Sequence, residues 1–493
     1  MSILTNMETR YESCRRVLKA RGQMHVLRWW DELLPAERDR LLTDIESIPW
    51  DALDGVIPTH VLTAPKVPAH VDLQPARVYP AHPKPGQNRE YAEARKRGID
   101  LIQQGKVAAF TVAGGQGTRL GVDGPKGAVA VTPVQGKSLF QLFAEMILAA
   151  RRRYGAPIPW YIMTSPANHA ATVEYLSGHS YFALPREDVV LFSQGMLPAF
   201  DSAGRLLLDA KHGLALAPDG HGGSLKALAR SGALADMRRR GITLISYFQV
   251  DNPMVQPFDP LFIGLHARTG SEMSTKVTRK ADDLEKVGNV CLEGGRLKVI
   301  EYSELPEALA RARHPDGTRR FDAANLAIHL IEVEFADRVA GRSFQLPFRR
   351  AEKVVAHIDD RGDRVRPQTP NAIKLETFVF DVLPLAANPL VLEVDRSEEF
   401  SPVKNATGED SLETSRRDQV RRACRWLEHA GVPVPRRSDG EPDATVEIAP
   451  LFALDAEELK TARERIPPIH RGMAVYIQSA SPNASSPVGE RVG

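Results

Sequence analysis

Residues 107–112 form the run Val107-Ala108-Ala109-Phe110-Thr111-Val112, apolar but for one threonine, and it stops abruptly at Ala113-Gly114-Gly115-Gln116-Gly117. A short run with no polar residue alternating into it reads as a strand buried on both faces. Glycines at its end let backbone N–H groups crowd around a ligand, and Arg119 and Lys126 follow with positive charge for anionic oxygens. The pattern predicts a buried strand that delivers a phosphate-binding loop. Two common loops of this type do not fit. A P-loop needs a glycine five residues before Gly136-Lys137-Ser138, and Val131 stands there. The dinucleotide fingerprint begins at Gly115-Gln116-Gly117, but Leu120 occupies its last position and Gly121 comes one residue late.

Beyond the loop the chain alternates. Residues 158–163, 188–192 and 242–250 read as strands, with helices at 168–177 and 224–240. Such alternation predicts an α/β fold, a mixed but mostly parallel sheet flanked by helices. Ligands of open α/β sheets bind beyond the carboxyl ends of the strands. The glycine loop stands at one such end, and Asp251, which closes the run 242–250, stands at another. Both point to one shared site.

Ahead of the sheet, residues 8–48 read as helices, with Pro35 starting the third and the pair Trp29-Trp30 as a packing anchor. Pro58, Pro65, Pro68, Pro75, Pro80, Pro83 and Pro85 then predict an extended arm free of regular helix and interior strand, running over another domain. Helical patterning returns at 89–104. Past residue 390 a helix at 415–431 and a strand at 444–448 predict a small unit. The expected division is 1–104 for helices and arm, 105–390 for a catalytic domain, 391–478 for a small C-terminal α+β domain, and 479–493 for a disordered tail of small residues, Ser and Pro.

Composition excludes several functions. A net charge of +2 gives no case for a nucleic-acid partner, and the runs Arg151-Arg152-Arg153 and Arg238-Arg239-Arg240 read as solvated helix faces. Cys14, Cys291 and Cys424 are distant from one another with no Cys-x-x-Cys spacing, which argues against a disulfide framework or structural zinc. The first residues lack a basic start followed by an apolar core, and no apolar stretch approaches the ~20 residues of a membrane span. A cytoplasmic enzyme without a membrane partner is the expectation.

The full string Gly114-Gly115-Gln116-Gly117-Thr118-Arg119-Leu120-Gly121, with Pro125-Lys126-Gly127, resembles the signature of the sugar-1-phosphate nucleotidyltransferases. Within them it is similar to the eukaryotic-type UDP-sugar pyrophosphorylases, and to the UDP-N-acetylglucosamine group in particular. Further strings occur in family order to about residue 450. Among them are Gln194-Gly195-Met196-Leu197-Pro198-Ala199, Ala217-Pro218-Asp219-Gly220-His221-Gly222-Gly223, Val250-Asp251-Asn252 and Pro370-Asn371-Ala372-Ile373-Lys374. The resemblance implies a Rossmann-like nucleotide-diphospho-sugar transferase fold. It also implies a uridylyltransferase, in which UTP and an N-acetylhexosamine 1-phosphate give a UDP-sugar and pyrophosphate by in-line attack on the α-phosphate with Mg²⁺. That nucleophile is already an anion, so positioning and charge neutralisation do the catalysis and no general base is needed.

Carried over residue by residue, Ala113, Gly114, Gly115 and Gly117 wrap the nucleotide, Gln194 reads the uracil edge and Gly220 approaches the base. Arg119, Lys126 and Lys404 are the catalytic cations, and Lys374 joins Lys404 on the phosphates. Asp251 is the Mg²⁺ ligand, and Asn252 reads as structural. His221, Gly288, Glu301 and Asn325 line the sugar. Two departures concern that sugar. His221 stands where the acetylglucosamine enzymes carry Asn, and Gly220-His221-Gly222 looks instead like UDP-glucose and broad-specificity UDP-sugar pyrophosphorylases. Asp322-Ala323-Ala324-Asn325 stands where the family has Asn-Ala-Gly-Asn. Glucose 1-phosphate or a broader sugar range is the alternative substrate. A non-catalytic nucleotide-sugar sensor is the alternative class, and its mark would be loss of Lys126 or Asp251.

Overall fold

The computed structural model describes residues 2–65, 72–341 and 346–479, with side chains from residue 7 onward. Its centre is a ten-stranded sheet. The strands are β1 (Leu73–Pro75), β2 (Val107–Val112), β3 (Trp160–Thr164), β4 (Val189–Ser193), β5 (Leu244–Gln249), β6 (Met273–Arg279), β7 (Asn289–Glu293), β8 (Arg296–Ile300), β9 (Ala323–Glu332) and β10 (Leu390–Glu393). Strand β2 lies in the middle of a parallel quartet, with β3 and then β4 on one side and β5 on the other. Strand β9 pairs antiparallel with β5, and the strands beyond it make a largely antiparallel half, in which only β6 and β10 run parallel. The chain order reverses between β2 and β5, which is the switch point where such sheets bind ligands.

Strand β2 is buried at every position, and its side chains alternate into two cores. Val107 and Ala109 join Phe140, Phe143 and Ile147 of the helix Leu139–Tyr154 on one face. Ala108, Phe110 and Val112 join Leu225, Leu228 and Met237 on the other. The first face is sealed by two helices, Asn88–Gln103 and Pro260–Thr269, whose backbones touch. A Cβ on Gly264 would lie 1.6 Å from the Ala94 carbonyl oxygen, and one on Gly98 would lie 1.9 Å from that of Pro260. Backbone cannot yield as a side chain does, so Gly264→Ala should cost roughly 3 kcal/mol, the upper range for overpacking. A urea midpoint unchanged by that substitution would contradict the close crossing.

The N-terminal helices Ser2–Ala20 and Pro35–Ser47 build their own core around Leu18, Trp29, Leu41, Leu42 and Ile45, closed by Phe200, Leu206 and Ile373. The helix Leu412–His429 and the parallel pair Ala444–Ile448 and Met473–Ile477 hold another around Leu427, Val446 and Phe452. Among the described residues no helix is long and apolar enough to cross a membrane. Cys14, Cys291 and Cys424 are buried free thiols.

The structure corrects several local expectations. Between the first two long helices the chain makes 3₁₀ turns, Met24–Leu27 and Trp30–Glu32, in place of a helix. Residues 224–240 form two helices, Ser224–Arg230 and Ala233–Arg239, because Gly232 turns the backbone to φ +80°. The proline-rich arm contains one π turn, Ile57–Val61, with Pro58 in its first turn where no N–H is needed. Further on it pairs as an edge strand, β1 on β7, and bridges Tyr79 to Val391 and Glu393. Pro68 of the arm and residues 480–493 of the expected tail lie outside the described residues.

Within the arginine runs Arg152, Arg153, Arg238 and Arg239 are exposed, as solvated faces are, whereas Arg151 and Arg240 are partly buried. Arg151 and Arg240 both pair with Asp188, at 2.6 and 2.7 Å, Arg153 reaches Asp455 at 2.5 Å, and Arg238 reaches Glu334 at 2.7 Å. Asp188, Asp455 and Glu334 come from other elements, which short-range charge patterning does not reveal, while Asp236, the partner of Arg239 and Arg240, lies within the same helical segment.

Candidate active site

The carboxyl ends of the four parallel strands meet at the switch point. Strand β2 leads into the glycine loop, β3 into Ser165 and Asn168, β4 into Gln194, and β5 into Asp251. Ala113 is held to the sheet by its N–H on the Met163 carbonyl. The loop then folds back on itself. Gly117 N–H donates to Gly124 O at 2.9 Å, and Lys126 N–H donates to Gly115 O at 3.1 Å. Buried Asn168 fixes it from beneath, donating through Nδ2 to the carbonyls of Ala113 and Gly115 and accepting from Ser165 N–H. These bonds consume loop carbonyls. The N–H groups of Gly114, Gly115 and Gln116 find no protein acceptor among the described residues, so the loop presents donors, as an anion site must.

Lys126 crosses this loop, its Cδ 3.8 Å from where a Cβ on Gly115 would stand. Its ammonium ends 3.4 Å from the Asp251 carboxylate, and both side chains are mostly shielded from solvent. A candidate catalytic cation and the candidate metal ligand therefore meet across the switch point. Arg119 is exposed and carries no ion pair among the described residues.

Asp251 is clamped through its backbone. Val403 N–H donates to Asp251 O at 2.8 Å, and the amide of buried Asn252 donates to Glu399 O at 2.6 Å while accepting from Ser401 N–H. Asn252 is thus structural, as its sequence context implies. The same segment is anchored by Lys276, a fully buried lysine 2.9 Å from Asp259 and 2.7 Å from Glu399. Burial pushes the Glu399 carboxyl up to about 7 against the pull of that lysine.

Gln194 is buried with its amide against the loop. A Cβ on Gly114 would fall 2.4 Å from Gln194 Oε1, so any side chain at 114 would displace that amide. Gly220 follows at φ +82°, with a hypothetical Cβ 2.4 Å from Thr377 O. Its neighbour Asp219 accepts from both the N–H and the hydroxyl of Thr377. Burial, opposed by Arg230, raises the Asp219 carboxyl to about 7.

The candidate sugar residues come from the antiparallel half of the sheet. Asn325 on β9 donates its N–H to Gly288 O at 2.8 Å. Its Oδ1 accepts from Thr275 Oγ1 and Ala327 N–H, which leaves Nδ2 free among the described residues. Glu301 follows β8 with Oε1 3.2 Å from the Cβ position of Gly288, and burial raises its carboxyl. His221 receives Val379 N–H on Nδ1 at 3.1 Å and stacks on Phe378, 4.9 Å between centroids and 2° from parallel. Burial, aided by Arg349, pushes its imidazole down to about 4. A neutral ring that accepts at Nδ1 carries its proton on Nε2, so His221 offers the pocket a donor.

Lys374 lies half-buried on the strand Ala372–Glu376, which leads into Thr377, and has no ion-pair partner among the described residues. Lys404, next in the chain to Val403, whose N–H holds Asp251 O, pairs with Asp410 at 3.0 Å. It lines a cavity of about 720 Å³ that also includes Val287, the neighbour of Gly288. Sequence reasoning offered no signal for Asn168, and Asp219 was passed over within a string already singled out.

Residues 73–417 match the family model described as UTP–glucose-1-phosphate uridylyltransferase, UDPGP. The chain is 38% identical over 481 residues to UDP-N-acetylhexosamine pyrophosphorylase-like protein 1 of Xenopus tropicalis, covering 91% of this chain and 93% of that one. It is 34% identical over 465 residues to UDP-N-acetylglucosamine pyrophosphorylase of Saccharomyces cerevisiae, covering 90% and 96%. Among solved structures, the uridine diphosphate N-acetylglucosamine pyrophosphorylase of Trypanosoma brucei superposes with a TM-score of 0.79 at 26% identity, covering 95% of this chain and 98% of that one.

Proposed function

The chain belongs to the UDPGP family of uridylyltransferases and is a nucleotidyltransferase, a UDP-sugar pyrophosphorylase. From that premise we propose that it joins UTP to an N-acetylhexosamine 1-phosphate, releasing pyrophosphate, with Mg²⁺. The observation that carries the reading is the Lys126–Asp251 pair, 3.4 Å apart at the sheet's switch point. It offers an anionic oxygen a cation and a divalent ion a carboxylate in one place, shielded enough for charge to count for more than in water.

In the reaction an oxygen of the sugar phosphate bonds to the α-phosphorus while the bond from that phosphorus to the β-phosphate oxygen breaks. Pyrophosphate leaves with the electron pair. Lys126 neutralises charge on the α-phosphate, and the free N–H groups of Gly114, Gly115 and Gln116 orient the triphosphate. Arg119 takes its exposed end. Lys374 and Lys404 also meet the phosphates, each charge-assisted contact contributing about 1.5–3 kcal/mol. To do so Lys404 exchanges Asp410 for phosphate.

Asp251 fits Mg²⁺ because that ion takes one or two carboxylates and completes its shell with phosphate oxygens and water. Among the described residues no cluster of three or more metal-ligating side chains competes with this arrangement. When bound, the ion supplies further neutralisation of the triphosphate. Gln194 pairs its amide with the uracil imide, which needs both a donor and an acceptor. His221 Nε2–H and Asn325 Nδ2 donate to the sugar, and Glu301 accepts from its hydroxyls.

The names of the relatives favour an acetylated sugar, whereas His221 favours glucose 1-phosphate or a wider range. Pyrophosphate release with UTP, Mg²⁺ and a panel of sugar 1-phosphates separates them. The acetylated hexosamines should be fastest. Activity on glucose 1-phosphate alone would install the second reading, and silence on every sugar with tight UDP-sugar binding would indicate a sensor. His221→Asn should move the ratio of kcat/KM values toward the acetylated sugar by roughly tenfold, the scale of one pocket contact.

A further inference from the structure

We propose that Arg349 is a positioning residue that sets sugar selection, by locking the orientation of His221 through Phe378. The proposal rests on the reading of the sugar pocket above. Arg349 opens the strand Arg349–Lys353 and is mostly buried. Its guanidinium lies 4.9 Å from the Phe378 centroid, and His221 stacks on Phe378 at the same 4.9 Å. Phe378 thus links imidazole and guanidinium, and Phe380 braces the His221 ring from a third direction at 5.6 Å. Arg and aromatic faces attract through the ring quadrupole, so this contact fixes Phe378 and, with it, the plane of His221.

The other edge of the guanidinium meets carboxylates. Arg349 Nη1 pairs with Glu304 and Nη2 with Asp381 at 3.1 Å, and the buried Nε has no partner among the described residues. Glu301 lies within the same field. Burial raises it, Arg349 lowers it, and Glu304 and Asp381 raise it further. The groups acting here are Glu301, Glu304, Asp381, His221 and, more distantly, Lys298 and Asp251. One guanidinium therefore holds two carboxylates, Glu304 and Asp381, while its face meets Phe378. Its fork geometry also suits the task, since separate nitrogens reach Glu304 and Asp381 while the guanidinium lies over Phe378, which a point-like ammonium does less well.

The decisive variant is Arg349→Lys, which retains the charge and loses the plane. With the purified full chain, KM is measured separately for UTP and for the sugar 1-phosphate that wild type uses best, alongside the melting midpoint. The expected result is a rise of about tenfold or more in the sugar 1-phosphate KM, a UTP KM within about twofold of wild type, and an altered ratio of acetylated to plain sugar. A merely structural role would weaken both substrates together. If the lysine variant fails to fold, Arg349→Gln with Asp381→Asn removes one cation and one acid at once and is assayed the same way. Equal shifts in both KM values, or a fall in kcat alone, would overturn the proposal while leaving the proposed function intact. A wild-type protein inactive on every sugar 1-phosphate would overturn the proposed function and this proposal with it.

Discussion

Lys126→Ala should lower turnover by about 10²–10³-fold, the usual loss when one stabiliser of developing charge is removed. The side chain ends beside Asp251 and lies across the glycine loop, while its backbone N–H holds Gly115 O. The substitution keeps the backbone bond and removes only the cation, so the loop retains its shape. UTP binding should weaken less than kcat falls, because the free loop N–H groups still hold the triphosphate. Steady-state rates of pyrophosphate release, with UTP affinity measured separately by titration calorimetry, check both parts. Near-normal turnover would remove Lys126 from the chemistry.

Asp251→Asn is expected to cost at least as much, roughly 10³-fold in kcat, and to raise the Mg²⁺ concentration needed for half-maximal rate by about tenfold or more. The backbone of this residue is fixed by Val403 and its neighbour Asn252 by Glu399 and Ser401, so the variant should hold its place. The two substitutions should not multiply. Lys126 and Asp251 are in contact and act on the same reactants, so the double variant should fall well short of the product of the single losses. Full multiplicativity would mean that the two residues act independently, and an unchanged Mg²⁺ requirement in Asp251→Asn would place the ion elsewhere.

Much of this arrangement was legible in the sequence because it is local. The run 107–112 is buried along its whole length, its glycines follow in the same few residues, and Asp251 closes a second apolar strand. Strand periodicity and the switch-point rule then suffice to bring Lys126 and Asp251 together. What escaped depends on residues far apart in the chain. Arg349 gains its meaning from Glu304, Asp381 and Phe378, and Lys276 from Asp259 and Glu399, and no short window contains either set. The ion pairs of Arg151 and Arg240 escaped for the same reason, since the Asp188 they share lies 37 and 52 residues away in the chain. Gly232 shows a different limit. One glycine within a helical pattern is tolerated or breaks it according to packing, and here it takes positive φ and breaks it.

His221 was the least assignable residue from sequence, and the structure gives it a defined state. Burial pushes its imidazole down to about 4 and Val379 N–H occupies Nδ1, so the neutral ring carries its proton on Nε2. That state suits a donor to a sugar hydroxyl better than a general acid or base. That agrees with chemistry in which the nucleophile arrives already ionised.

The most direct measurement is the fate of the α-phosphate. UTP labelled at that phosphorus is incubated with the full-length protein, Mg²⁺ and N-acetylglucosamine 1-phosphate, and products are separated over time. The expected result is label in the UDP-sugar alone, formed one for one with unlabelled pyrophosphate and abolished by chelation of the metal. Label in pyrophosphate, label retained on the protein, or no transfer to any sugar 1-phosphate would contradict direct attack at the Lys126–Asp251 site.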